Sequence, residues 1–284
     1  MVKRSDYAAI VERALGEDLS DIGDVTTQAV VPEGTMARGE FVARSPGVVA
    51  GLDVAGYAFT VVDPSLVFEA SASDGDRVDS GATLAAVEGT ARSILTAERT
   101  ALNLLGRMSG VATETARLVD AVEGTGALIS DTRKTMPGLR ILDKYAVKMG
   151  GGVNHRTGLY DAVIIKDNHI VAAGDIAKAV TKARASVGPD VMVEVEVESL
   201  DQLAEVVGTD ADRVLLDNMD LATLRQAVKM TNDTIVTEAS GGVTLETVRA
   251  IAQTGVGIIS VGWITHSPPQ LDIGLDFASQ SRHR

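Results

Sequence analysis

Apolar and polar positions follow two different rhythms along this chain, and the change falls near residue 127. Residues 5–19 place apolar and charged side chains at helical spacing, which predicts an amphipathic helix with Ser5 as its cap. Short extended segments are expected at 36–43 and 67–73, with a helical stretch at 52–62 between them. Asp74-Gly75-Asp76-Arg77-Val78, then Gly81, Leu84 and Val87-Glu88-Gly89, has the turn-and-strand spacing of a small β structure. From 91 to about 122 the pattern is helical. Gly106 and Gly110 are its expected breaks, since glycine weakens a helix by about 1 kcal/mol relative to alanine.

Beyond 127 the rhythm becomes regular. Apolar runs at 127–130, 161–165, 192–197, 213–216, 234–237 and 257–261 alternate with helical segments such as 175–186, 200–207, 221–230 and 245–253. Repeats of this kind specify a parallel sheet covered by helices, and their spacing favours closure into a barrel over an open sheet.

Composition narrows this picture. The 284 residues are 45% hydrophobic but only 3% aromatic, so the core is built from Ala, Val, Leu and Ile, as helix-covered parallel strands require. A net charge of −13 argues against nucleic acid or an anionic membrane as partner. No apolar run approaches the roughly 18 residues of a membrane span, and the first residues lead into an acid-containing amphipathic stretch unlike a signal peptide. The absence of cysteine removes disulfides, thiolate nucleophiles and zinc–thiolate sites, and fits a cytoplasmic location.

In barrels of this type the chemistry sits where strands end. Here every apolar run is followed by polar residues: Asp131-Thr132-Arg133-Lys134-Thr135, Lys166-Asp167-Asn168-His169, Asp217-Asn218, Glu238-Ala239-Ser240-Gly241-Gly242 and Gly262. The run at 192–197 carries Glu194 and Glu196, with Glu198 next, alternating with Val193, Val195 and Val197. If helices cover the valines, the glutamates face inward and need cations or a metal; the alternative is an edge strand with a wet face. Cations are at hand, because 133–169 holds seven Lys/Arg against three Asp/Glu. Such a patch in an acidic protein suggests a pocket for a small, multiply charged anion. Arg133, Lys134, Arg156 and Lys166, at turns and strand ends, are its candidates, whereas Lys144 and Lys148, four apart on a helix, are expected in solvent. Ser240-Gly241-Gly242 before a helix starting near Thr244, with Gly262 beside it, has the makings of a phosphate cradle. Gly150-Gly151-Gly152 is expected as a flexible loop carrying His155 and Arg156 to the same mouth; a purely structural role is the alternative for His155.

These motifs, in this order and joined by Thr96-Ala97-Glu98-Arg99-Thr100-Ala101-Leu102-Asn103 and Leu271-Asp272-Ile273-Gly274-Leu275, resemble those of the decarboxylating quinolinate phosphoribosyltransferases of NAD biosynthesis. The resemblance runs from about Leu15 to Asp276. It implies an N-terminal α/β sandwich over residues 1–108, rejoined by 269–284, and an irregular, incomplete parallel α/β barrel over 109–268 that carries the active site. It also implies a homodimer or larger assembly, with Arg99 reaching into the neighbouring site. By matched position, Arg99, Arg133, His155, Arg156 and Lys166 grip the quinolinate carboxylates. Lys134, Glu196 and Asp217 hold 5-phosphoribosyl 1-diphosphate, the last two through magnesium, and carry the catalysis. Ser240, Gly241, Gly242 and Gly262 cradle the 5′-phosphate.

Two other readings compete. Lys166 at a strand end near a phosphate loop is also how Schiff-base aldolases are built. The rhythm of 74–89 is that of a lipoyl or biotinyl carrier, but no lysine lies between Arg4 and Lys134 to accept the group. Trp263, the only tryptophan, departs from the family pattern by following Gly262 where a small residue is expected.

Overall fold

The two rhythms of the sequence become two compact units in the computed structural model, which describes residues 2–232 and 234–277. The first unit groups the chain up to Ala116 with Met136–Gly151 and the segment from Ser267 on; the second holds Arg117–Thr135 and Gly152–His266. This grouping differs from cuts at 108 and 268 chiefly in Met136–Gly151, which the sequence placed with the barrel. Of the expected returning tail, residues 278–284 lie outside those described.

In chain order the elements are α1 (Arg4–Leu19), α2 (Val25–Val30), β1 (Met36–Ala43), β2 (Gly47–Val48), α3 (Leu52–Val62), β3 (Val67–Ala70), β4 (Arg77–Val78), β5 (Thr83–Thr90), α4 (Ala91–Ala121) and β6 (Leu128–Ser130). There follow α5 (Arg140–Met149), β7 (Val163–Ile165), α6 (Asp167–Ala173), α7 (Ile176–Val187), β8 (Val193–Val197), α8 (Leu200–Val207), β9 (Arg213–Asp217) and α9 (Leu221–Thr231). The chain closes with β10 (Val236–Ser240), α10 (Val248–Ala252), β11 (Ile258–Ser260), α11 (Trp263–His266) and β12 (Ile273–Phe277).

The first unit is built on an antiparallel sheet in the order β12-β1-β5-β3, with β2 paired to β4 at its side. Period two along β1 buries Gly39, Phe41 and Ala43. Phe41 meets Phe59 and Phe68 edge to face at 5.7 Å, so three of the four phenylalanines gather here. The carrier-like stretch 74–89 is simply β4, β5 and their turn within this unit.

Three expectations need correction in this unit. Helix α1 starts at Arg4 with Lys3 as its cap; Asp6 accepts the Lys3 N–H at 3.0 Å, so an acid inside the first turn does the work assigned to Ser5. Lys144 is buried, whereas Lys148 is exposed as expected. Most informative is α4, which runs 31 residues without a break. A Cβ at Gly110 would lie 2.1 Å from the Pro269 carbonyl oxygen, and one at Gly106 would lie 3.1 Å from that of Leu271. Both glycines are there to let the returning chain lie against the helix, and the Leu271 N–H donates to the Gly106 carbonyl at 3.0 Å.

The second unit carries a parallel sheet in the order β6-β11-β10-β9-β8-β7. Among the described residues β6 and β7 are not paired, so the ladder stays open, as expected of an incomplete barrel. Its core is aliphatic: Val193, Val195, Val197, Val214, Leu216 and Ile259 are all buried. Several boundaries move: β7, expected from 161, begins at Val163, and β11, expected over 257–261, spans Ile258–Ser260. The strand expected at 234–237 begins at Val236, because the Thr234 hydroxyl and N–H both bond the Thr231 carbonyl and close a turn first. Glu238 is therefore inside β10 rather than in the loop after it. The helix expected from 244 begins only at Val248.

Alanine at Gly110 should destabilise the protein by about 1–3 kcal/mol through this overpacking. Urea unfolding of G110A that superimposes on the wild type would refute the account of the helix groove.

Candidate active site

Polar side chains gather where the parallel strands end. Asp131, just past β6, is fully buried and accepts the Asn154 side-chain amide at 2.6 Å and the His155 N–H at 2.8 Å. That carboxylate fixes the segment bearing His155 and Arg156. Gly150, expected in a flexible loop, is buried instead; a Cβ there would lie 2.3 Å from the Ala112 carbonyl oxygen.

His155 is buried, with Nε2 3.0 Å from Glu194 and 3.4 Å from Glu238, both carboxylates being fully enclosed. Arg213 on β9 donates to the other oxygen of Glu238, Oε2, at 2.8 Å, and the Ser260 hydroxyl donates to Oε1, the oxygen facing His155, at 2.6 Å. The Arg156 N–H points at His155 Nδ1 at 2.8 Å, which leaves the ring proton on Nε2 toward the carboxylates. Burial pushes the His155 pKa down, but the hydrogen bonds and charges of Glu194 and Glu238 outweigh it and lift it to about 9. Burial raises Glu194, whereas His155, Ser260 and Arg213 overcome burial and hold Glu238 below the usual carboxylate range. The two acids are thus pulled apart: Glu238 is held charged against Arg213 and His155, while burial makes Glu194 the harder one to ionise. These three side chains also lie close enough together for a metal ion, but Arg213 and Ser260 already engage Glu238, and the Arg156 N–H engages His155.

Above this cluster opens a pocket of about 630 Å³ whose lining includes Arg133, Lys134, Arg156 and Lys166. Arg156 donates to the Ala162 carbonyl at 3.0 Å, and its Nε is buried without a hydrogen-bond partner. Burial, and then the neighbouring Arg133 charge, hold its pKa below the ordinary value. Two guanidinium groups that repel each other in a half-buried pocket favour an anion between them. Lys166 pairs with Glu196 from the adjacent strand, which meets the expectation that an inward glutamate needs a cation. Glu198, by contrast, lies past the strand end in solvent.

Opposite the arginines stand Asp217 and the glycine loop. Asn218 donates to Asp217 at 2.8 Å and its own N–H bonds the Ser240 carbonyl at 2.9 Å. Gly241 and Gly242 have φ of +98° and +60°, and a Cβ at Gly241 would lie 2.1 Å from the Asn218 side-chain oxygen. Only glycine passes here. A side pocket of about 160 Å³ adjoins this loop, lined by Lys134, Ser240, Gly241, Gly242, Gly262 and His266 among others. A Cβ at Gly262 would lie 2.9 Å from the Lys134 side chain, so this glycine makes room for the lysine.

Eleven of the twelve site residues named from sequence line these two pockets. Arg99 does not: it is exposed on α4 in the first unit. Missed from sequence were Arg213, Ser260, Asn218 and His266. Arg213 opens a strand and His266 ends a four-residue helix, positions to which periodicity assigns nothing special.

Comparison with known proteins gives two consecutive family matches. Residues 24–109 match the quinolinate phosphoribosyl transferase N-terminal domain and residues 111–276 its C-terminal domain. The chain is 48% identical to the nicotinate-nucleotide pyrophosphorylase (carboxylating) of Mycobacterium leprae (strain TN), across 94% of this chain and 95% of that protein. It is 45% identical to a quinolinate phosphoribosyltransferase (decarboxylating) of Nicotiana glauca, across 95% of this chain and 82% of that one. The solved structure of the nicotinate-nucleotide pyrophosphorylase from Francisella tularensis superimposes with a TM-score of 0.94 at 39% identity, covering 98% of each chain.

The buried cluster has a pH signature. Because the His155 pKa is raised on folding, its contribution to stability is complete below pH 6.5 and is lost as pH rises through about 9. Urea unfolding should show wild-type stability falling across that window and H155Q nearly flat. Parallel slopes in the two proteins would rule out His155 as the source of that pH dependence.

Proposed function

The chain belongs to the quinolinate phosphoribosyltransferase family, and on that premise we propose how its side chains divide the work. It transfers the phosphoribosyl group of 5-phosphoribosyl 1-diphosphate to quinolinate with decarboxylation, giving nicotinate mononucleotide, diphosphate and CO2 for NAD biosynthesis. The observation that carries the residue assignment is the facing of the Arg133–Arg156 pair and the glycine loop across one pocket.

Arg133 and Arg156 grip the quinolinate carboxylates, and Lys166 adds a third positive charge. His155 contributes from below, its Nδ1 accepting the Arg156 backbone N–H and so orienting that residue. Lys134 lies between the main and side pockets, where it reaches the phosphates of the second substrate. Ser240, Gly241, Gly242 and Gly262 receive its 5′-phosphate. Glu196 and Asp217, hard oxygen donors on adjacent strands, fit magnesium, which binds through one or two carboxylates plus substrate phosphates. When bound, that ion would neutralise the leaving diphosphate.

Chemistry then needs no protein nucleophile. The pyridine nitrogen attacks the anomeric carbon as the bond to diphosphate breaks, through an oxocarbenium-like state that Glu196 and Asp217 stabilise by their charge. The new pyridinium ring accepts the electron pair left when the adjacent 2-carboxylate departs as CO2, and a proton takes its place on the ring. Catalysis rests on positioning and electrostatics.

A homodimer in which Arg99 completes the neighbouring site accounts for an exposed arginine in a motif of the family. No helix among the described residues is long and apolar enough to cross a membrane, and a cysteine-free chain fits the cytoplasm.

With magnesium and 5-phosphoribosyl 1-diphosphate, the purified chain should convert quinolinate to mononucleotide and CO2 in equal amounts, and nicotinate far less. No product from quinolinate would overturn the reaction. Arg133→Ala and Arg156→Ala should each cost roughly 2–4 kcal/mol of quinolinate binding. Normal quinolinate affinity in both would sink the pocket assignment. Arg99→Ala mixed with Lys134→Ala should recover part of the activity, since a mixed dimer assembles one intact site; failure at every ratio would disprove the shared site.

A further inference from the structure

Beside the glycine loop stands Trp263, at a position where the resemblance implied a small residue. Trp263 opens the short helix after Gly262, half-buried, and its indole Nε1 donates to the Val243 carbonyl at 3.0 Å. Val243 directly follows Gly241-Gly242 and is itself buried. The loop is tied at its other margin too, where the Asn218 N–H bonds the Ser240 carbonyl at 2.9 Å. Downstream, the Thr244 N–H donates to the Thr247 hydroxyl at 2.9 Å. Between these ties lie two glycines with positive φ, the residues of the loop with the most conformational freedom to lose. Trp263 also lines the side pocket together with Gly241, Gly242, Gly262 and Lys134.

We propose that Trp263 is a positioning residue for the phosphate loop: its indole N–H locks the Val243 carbonyl and so presets Gly241-Gly242 for the phosphate of the phosphoribosyl substrate. The tryptophan touches no reacting atom. It acts through the loop, by removing in advance freedom that binding would otherwise have to freeze. This rests on the assignment of the glycine loop to the 5′-phosphate. Because it is the only tryptophan, its emission reports on the side pocket without a label.

The test compares W263F, which keeps an aromatic ring and loses the donor, with the wild type. Loss of one hydrogen bond predicts a KM for 5-phosphoribosyl 1-diphosphate raised about 3- to 10-fold. The KM for quinolinate should stay within about 2-fold and kcat should change less than the first KM, the pattern of lost ground-state binding. An unchanged KM for the phosphoribosyl substrate, or an equal rise in both KM values, overturns the proposal. Should W263F fail to fold, the wild type decides: ribose 5-phosphate, with binding confirmed by calorimetry, should shift Trp263 emission saturably, and binding without any shift refutes the loop contact. Wild-type inactivity would count against the reaction itself. Full wild-type activity with an unaltered W263F counts against Trp263 alone.

Discussion

Everything at the mouth of the parallel sheet hangs on the burial of two carboxylates. Glu194 and Glu238 have no access to water, and a buried, unpaired carboxylate is among the costliest things a fold can contain. They are tolerable because β9 sets Arg213 between their strands, in register with Glu194 and bonded to Glu238, and because His155 comes in from above. That demand in turn fixes the loop after Asp131, the direction of the Arg156 backbone and the place where its guanidinium emerges. The pocket's positive face is thus the upper surface of a layer in which Arg213 and His155 offset the charge of the buried acids. Such a layer holds side chains in one arrangement but contributes little net stability, so its value is geometric.

Where the sequence was readable, one kind of signal made it so. Strand order, helix cover and the polar residues at the strand ends follow from apolar runs at regular spacing, and from glycines and charges placed just after them. Gly241 shows how local that information is: a positive φ and a close neighbour are demands met within a few residues. What escaped were demands set by distant chain. Gly106 and Gly110 read as helix breakers because their partners, Pro269 and Leu271, are more than 150 positions away. Thr234 took two positions from β10 through a bond to Thr231, which no alternation pattern records. Lys144 was placed in solvent because spacing alone says nothing of what packs on a helix.

The site was legible in the same uneven way. Motif order located the arginines, the glycine loop and the carboxylates facing it. It did not show that Lys166 and Glu196 are partners, nor that His155 looks inward to two acids and offers its other nitrogen to a backbone N–H. Those are relations between strands, and they come from register: Glu196 stands one strand from Ile165, next to Lys166. Reading residues one by one assigns each to a ligand, whereas the structure binds several of them first to one another.

The pairing of β12 with β1 has a consequence for how the molecule is made. Glu40 lies opposite Asp276, so the first sheet cannot be completed until the chain has been made through β12. Until then β1 presents an open edge, the kind of surface that recruits a strand from another chain. A strand made early is thereby paired late. During the interval the growing chain depends on dilution, chaperones or the speed of elongation to keep that edge for its own C-terminal strand.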